Sequence, residues 1–365
     1  MNTKEVINYN NEESWQKHFA DSFSDLKSLA DYLNIKINDE LKLVAKKYPV
    51  QVTKYYANLI DKNKIFQDPI FKQCFPSSQE LESSLNLNLD GLNENDLMPV
   101  PRLIRKYSDR AVILSSNECA MHCRFCFRKR QWKHDRQRSN ISMHEINVIT
   151  DYLKENKEIS EVLLSGGDPL IMNDSKIFKI IDEISDCKNI SVIRVCTRML
   201  VTLPQRITDS FAKELSKRNK VWVVSHFNHE KELTNESVGA CSKLIKNGIN
   251  VLNQSVLLKG INDSEEKLEK LLKKLVANKI IPLYLFHIDP IKSVEHFATG
   301  IDCGLELIEK LRPKVSSLAM PTFAIDLPEG GGKVNLQPNF LENGKYIGIN
   351  NKKIKYPFYN KINKK

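Results

Sequence analysis

The sequence predicts an α/β protein built as a partial (β/α)6 barrel of TIM-like type, open on one side, with a helical extension ahead of it. Two observations carry that expectation. Short β-rich runs recur at roughly thirty-residue intervals, at 111–115, 161–165, 192–196, 221–225, 251–257 and 282–286, with amphipathic helical patterns such as 267–277 between them. Strands alternating with helices give a parallel sheet with right-handed crossovers. The chemistry-bearing motifs also fall just past the ends of these runs, on the rim where such barrels carry function.

The stretches 15–32, 39–47 and 53–59 read as helices, followed by a loop-rich segment to Pro101. We therefore expect three regions: a helical N-terminal extension (1–105), the barrel (106–320) and a C-terminal segment with a basic tail (321–365). The polar, acidic start MNTKEVINYNNEESWQ lacks the apolar segment of a signal peptide, and no run of about 18 apolar residues exists. A cytoplasmic protein with reduced thiols is expected. The net charge is +10, with dense basic runs at 124–138 and 352–365. The tail reads as a solvated, partly disordered end. The first run suits a catalytic anion site, with an RNA-facing patch as the rival; no nucleic-acid partner is expected.

After the first strand comes Cys119-Ala-Met-His-Cys123-Arg-Phe-Cys126. Three thiolates at this spacing can hold three irons of a [4Fe–4S] cubane and leave the fourth iron open. An open iron is what S-adenosylmethionine radical chemistry needs. Zinc would want a fourth ligand, for which His122 is at hand, but no second short Cys/His pair follows. Cys74, Cys187, Cys196, Cys241 and Cys303 are isolated and read as small buried hydrophobes.

After the second strand, Gly166-Gly167-Asp168-Pro169 would let bare backbone approach a ligand. The rival is an ordinary strand-to-helix turn. Near the C-terminus, Asp326-Leu-Pro-Glu-Gly330-Gly331-Gly332-Lys333 places a lysine after three glycines. It fails as a phosphate-binding loop, because Leu327 stands at the first glycine position and Val334 follows the lysine. A lysine on a flexible glycine arm can form an imine with pyridoxal phosphate and swing aside for a substrate amine. A solvated lysine on a surface loop is equally compatible with the local sequence.

Taken together, CAMHCRFCFRKR, LLSGGDPL, LPQRIT, HFNH, NQSVLLKGIND and MPTFAIDLPEGGGK resemble the lysine 2,3-aminomutase family of radical S-adenosylmethionine, pyridoxal-phosphate enzymes, as do YYANLID and DPIFKQCFPSSQEL in the extension. The resemblance implies that Cys119, Cys123 and Cys126 bind the cluster and Lys333 the pyridoxal phosphate. It implies that Arg128 grips the substrate carboxylate and that Arg110 and Lys106 lie near the cofactor phosphate; Lys106 stands where the family commonly has arginine. Gly166, Gly167, Asp168, His226 and Gln254 would line the S-adenosylmethionine site. Asp289 and Asp326 match the acid pair that holds the distal ammonium of lysine, and two carboxylates there would repel glutamate.

The family resemblance further implies a small amino-acid substrate, a reducing partner such as flavodoxin or ferredoxin, and a homo-oligomer. Related enzymes that make β-lysine for translation-factor modification typically lack the second acid, so its presence favours free lysine; arginine is the nearest cationic rival. The chain departs from longer members in lacking their cysteine-rich C-terminal segment. Phe127, Phe286 and Glu329 also replace residues common there. The competing classes are a radical RNA methyltransferase, which would share the cysteines but not need Lys333 with an acid pair, and an iron–sulfur electron carrier.

Overall fold

The computed structural model describes residues 14–132 and 139–357. The polar leader, part of the first basic run and the end of the tail lie outside the described residues.

The main sheet has nine strands in sequential order. They are β1 (Leu103–Ile104), β2 (Arg110–Ser116), β3 (Glu161–Gly166), β4 (Val192–Cys196), β5 (Val221–Ser225), β6 (Val251–Leu257), β7 (Ile281–His287), β8 (Thr322–Leu327) and β9 (Gly332–Asn335). Strands β2 to β8 pair in parallel, each with the next. The six predicted strands are β2 to β7, and β8 adds a seventh on the same pattern. β1 and β9 close the two edges antiparallel. Three short antiparallel strands, β10 (Leu341–Glu342), β11 (Lys345–Ile347) and β12 (Lys353–Ile354), form a separate small sheet.

The crossover helices follow from their stripes and caps. The helix Glu265–Ala277 buries Leu268, Leu271, Leu272 and Leu275, the one-sided pattern that seats a helix on a sheet. The helix Met143–Glu155 starts at a capping box between Ser142 and Glu145, which satisfies two otherwise unpaired amides.

In the extension, the predicted helix at 15–32 divides into Trp15–Ala20 and Leu26–Leu33. Phe23 pairs with Val52, and Asp25 accepts from Ser28 N–H to start the second helix afresh. Asp39–Lys47 and Lys54–Ala57 form as expected, capped by Asn38 and Thr53. Leu29, Val52, Tyr56, Ile70 and Phe71 pack in the same apolar cluster as Ile113, Val162 and Ile193 of the barrel strands. Cys74, Cys187 and Cys241 are buried, as a small-hydrophobe role requires, whereas Cys196 and Cys303 keep some exposure.

Candidate active site

The cysteine loop leaves β2 and packs on the extension, with His122 N–H donating to Gln51 O and Arg124 N–H to Gln73 O. Cys119, Cys123 and Cys126 lie within electrostatic reach of one another. Burial pushes each thiol upward, Cys126 to about 12, and the neighbouring sulfurs add to the push on Cys119 and Cys126. Such burial keeps the thiols protonated on their own, and a cluster held there would supply the positive charge that deprotonates them. His122, the candidate fourth zinc ligand, is engaged elsewhere: its Nδ1 lies 2.8 Å from Pro49 O and its ring stacks on Trp132 at 4.4 Å.

Arg198, just past β4, is a residue the sequence reading did not single out. It donates to Cys123 Sγ at 2.8 Å, and also to Gln73 and Glu232 at 2.7 Å each. Asp168 sets it in place. Its carboxylate accepts from Arg198 N–H, Thr197 Oγ1 and Leu170 N–H. The Asp168 side chain is thus fully engaged by protein. The Gly-Gly turn is likewise locked onto the cysteine loop, with Gly167 N–H on Ser116 O at 2.6 Å and Asp168 N–H on Glu118 O at 2.7 Å. A side chain at Gly167 would meet Glu118 O at 2.3 Å, and Gly166 has φ +109°. The glycines therefore let the two loops abut, and those two amides serve that contact.

His226, just past β5, has an Nε2 that is buried and, among the described residues, without a hydrogen-bond partner. Burial, with the Arg198 charge assisting, holds its ring down to about 3, so it is neutral. Its ring lies 5.5 Å from that of Phe125 in the cysteine loop. An orphaned neutral nitrogen there fits a polar ligand beside the cluster. Gln254 sits on β6 next to a register shift, opposite Tyr284 of β7.

The glycine arm proves to be a hairpin. β8 and β9 pair so that Asp326 stands directly opposite Lys333, which brings the lysine ammonium 3.1 Å from Asp326 Oδ2. Its turn holds Glu329 and Gly330 at positive φ, as does Gly332 where β9 begins. Lys333 N–H donates to Tyr107 Oη at 2.7 Å, and Arg110 stacks on the same tyrosine ring at 3.6 Å. A primary amine flanked by a phenol and a guanidinium fits pyridoxal phosphate, an aldehyde carrying an anion. Lys106 donates to Asp326 Oδ1 at 2.7 Å and to Leu327 O at 3.2 Å, so its ammonium is committed to the acid.

The two acids differ. Burial pushes Asp326 up, but Lys333 and Lys106 outweigh it and hold the carboxyl below its usual value. Burial pushes Asp289 up to about 7, and the Asp326 charge adds to this while Lys333 opposes it. Phe286 lies 5.4 Å from the Lys333 ammonium, and Phe127 carries the Arg128 guanidinium on its face at 4.4 Å.

The described cations of the first basic run each have an acid from the extension. Arg124 and Lys129 share the buried Glu80. Arg128 and Arg130 share Glu94. The described run between 124 and 130 is therefore an internal seam between barrel and extension rather than an exposed basic face.

Comparison with known proteins accords with this geometry. Residues 109–245, which include the three cysteines and the Gly-Gly turn, match the family model of a 4Fe-4S single cluster domain. Residues 308–346, which include Asp326 and Lys333, match that of lysine-2,3-aminomutase. The chain is 40% identical over 335 residues to L-lysine 2,3-aminomutase of Methanococcus maripaludis, covering 91% of this chain and 76% of that one. It is 38% identical over 330 residues to the Bacillus subtilis protein of the same name, covering 90% and 69%. It is also 37% identical over 335 residues to glutamate 2,3-aminomutase of Clostridioides difficile, covering 90% and 78%. Among solved structures, a radical SAM methyltransferase from Sphaerobacter thermophilus aligns with a TM-score of 0.47 and 17% identity, covering 61% of this chain and 68% of that one.

The chain belongs to the lysine 2,3-aminomutase family. It is an isomerase, and its cofactors are a [4Fe–4S] cluster, S-adenosylmethionine and pyridoxal phosphate.

Proposed function

We propose that this protein moves the α-amino group of free L-lysine from C2 to C3, giving β-lysine. Overall identity does not choose the substrate, because the relatives include both a lysine and a glutamate enzyme at similar identity. The observation that carries the reading is the acid pair around Lys333. An ammonium, that of Lys333 itself, already rests on Asp326 and opposes the upward push on Asp289. With the Lys333 amine held by pyridoxal phosphate, Asp326 and Asp289 would be left without that cation, and the ε-ammonium of an incoming lysine would match them. A glutamate side chain would instead add a third carboxylate beside Asp289 and Asp326.

When bound, the cofactors supply a carbon radical that takes hydrogen from C3 and an electron-accepting ring that eases the amine shift. The chain's own residues orient and enclose. Cys119, Cys123 and Cys126 hold the cluster. His226 and Gln254 face S-adenosylmethionine, and the turn of Gly166, Gly167 and Asp168 keeps the cysteine loop in register beside it. Arg110 faces the pyridoxal phosphate group. Arg128 takes the α-carboxylate by a two-pronged hydrogen bond. Lys106 braces Asp326 from behind, which holds the acid toward the substrate.

The extension (1–105), barrel (106–320) and C-terminal segment (321–365) act as one unit in this reading. The enzyme draws its electron from a flavodoxin or ferredoxin, works as a homo-oligomer and resides in the cytoplasm; among the described residues no helix is long and apolar enough to cross a membrane. The test is anaerobic incubation of the reconstituted enzyme with lysine, glutamate, arginine or ornithine, followed by chromatography of the amino acids. β-Lysine as the dominant product is expected. Faster conversion of glutamate than of lysine would overturn the assignment.

A further inference from the structure

Arg128 is gripped by Glu94 along its Nε edge and by Ser165 at Nη1. Glu94 accepts from Nε through both carboxylate oxygens at 3.0 Å and from Nη2 at 2.6 Å. Nη1 donates to Ser165 Oγ, at the end of β3, at 3.0 Å. A guanidinium carries five N–H groups. These contacts use the Nε edge and one N–H on each terminal nitrogen. One N–H on Nη1 and one on Nη2 remain, and among the described residues neither meets an acceptor. Glu94 is itself braced: Arg130 donates to its other oxygen at 2.9 Å, and its backbone N–H donates to Asp90 Oδ1 at 3.1 Å. Both side chains are nearly buried, Arg128 at 10% and Glu94 at 7% exposed. Arg128 and Glu94 also lie within electrostatic reach of Asp289, which couples them to the acid pair.

We propose that Glu94 is the positioning residue for recognition of the substrate α-carboxylate, clamping Arg128 by its Nε edge so that its outer N–H groups face the substrate beside Asp289. An arginine side chain has several rotatable bonds, and a clamp removes that freedom before substrate arrives. The inference rests on Arg128 being the carboxylate ligand. Its rival is that Glu94 occupies Arg128 in place of substrate and must be displaced.

The sign of the change in KM separates the two. In the reconstituted holoenzyme, Glu94→Gln keeps the shape but loses the charge and sets an amide against Arg128 and Arg130. The KM for lysine is expected to rise roughly ten- to hundredfold, with kcat changed far less. Iron content and the pyridoxal phosphate absorbance should be retained. Inhibition by lysinamide, which lacks the carboxylate, should be unchanged, a readout that a merely structural role would not spare. Glu94→Asp keeps the charge and should give a smaller rise, which serves if the Gln variant does not fold. An unchanged KM, or a lower one, would overturn the clamp, the lower value marking Glu94 as a competitor. Arg128→Met provides the control. If it too leaves KM unchanged, the Arg128 assignment fails; if it raises KM while the Glu94 variants do not, only the present inference fails.

Discussion

Replacing Asp289 with Asn should weaken lysine turnover in a pH-dependent way. In the free site, burial holds the Asp289 carboxyl up near 7, and Lys333, with Arg128 behind it, opposes the rise. Holding the Lys333 amine on the cofactor would remove that opposing charge. An acid with a raised pKa is neutral below it and charged above it, whereas the ε-ammonium of lysine is charged throughout this range. Affinity for lysine should therefore rise as pH climbs through about 7. The shift from the usual carboxylate range is roughly 3 pH units, or at most ~4 kcal/mol that an incoming ammonium could recover. Asp289 keeps partial exposure, so screening trims this to about 2–4 kcal/mol, or roughly 30- to 1000-fold in kcat/KM. The assay is anaerobic kcat/KM for lysine from pH 6 to 8.5, with iron and pyridoxal phosphate content matched. Asp289→Asn should lose both the activity and the rising limb. Asp326→Asn should be at least as damaging, because it leaves Lys106 facing the substrate ammonium unpaired, and adding Lys106→Met should restore part of the loss. An Asn variant within about threefold of the parent at pH 8, with the rising limb intact, would refute the acid-pair reasoning.

Other consequences can be checked singly. Lys333→Ala should abolish the imine absorbance and the rearrangement while leaving iron content intact; borohydride labelling of a different lysine would overturn that assignment. Arg198→Met removes a cationic donor from Cys123 and should make the cluster harder to reduce, seen as a more negative midpoint in an EPR-monitored titration, because hydrogen bonds to cluster sulfurs raise the potential. Glu80→Gln strands two buried cations and should cost ~3–5 kcal/mol in denaturant unfolding. Burial pushes the Glu80 carboxyl up, yet Arg124 and Lys129 outweigh it and hold it down to about 2. Its contribution is therefore present above the ordinary carboxylate range and lost as pH falls from there toward 2, so the variant should show a shallower acid transition over that window.

The barrel strands and crossover helices were legible because each carries its own local pattern: β-rich runs such as 221–225, and an apolar stripe at helical spacing in Glu265–Ala277. The cysteine loop stood out because its three cysteines are close in sequence. The charge partners were not. Glu80 meets Arg124 across 44 residues and Glu94 meets Arg128 across 34, and no local periodicity marks which acid of a polar, loop-rich segment will be buried. The glycine arm misled in a different way. Its three glycines suggest a flexible tether, but the seven-residue separation of Asp326 and Lys333 is that of a hairpin with four turn residues, and the positive φ at Glu329 was the hidden cue.

Such unread contacts concentrate in the N-terminal extension, and that distribution bears on what the extension does. Glu80 holds Arg124 and Lys129, Glu94 holds Arg128 and Arg130, and Gln73 and Tyr56 reach Arg198 beside Cys123. The barrel thus contributes cations around the cysteine loop, and the extension contributes the groups that neutralise or orient them. Without those acids, four like charges would be crowded between residues 124 and 130, next to the sulfurs, at a cost of several kcal/mol for each one kept from water. The extension is therefore part of the site's electrostatics as well as its packing. Charge reversal at Glu80 or Glu94 should disturb the cysteine loop before it disturbs the distant β10–β12 sheet.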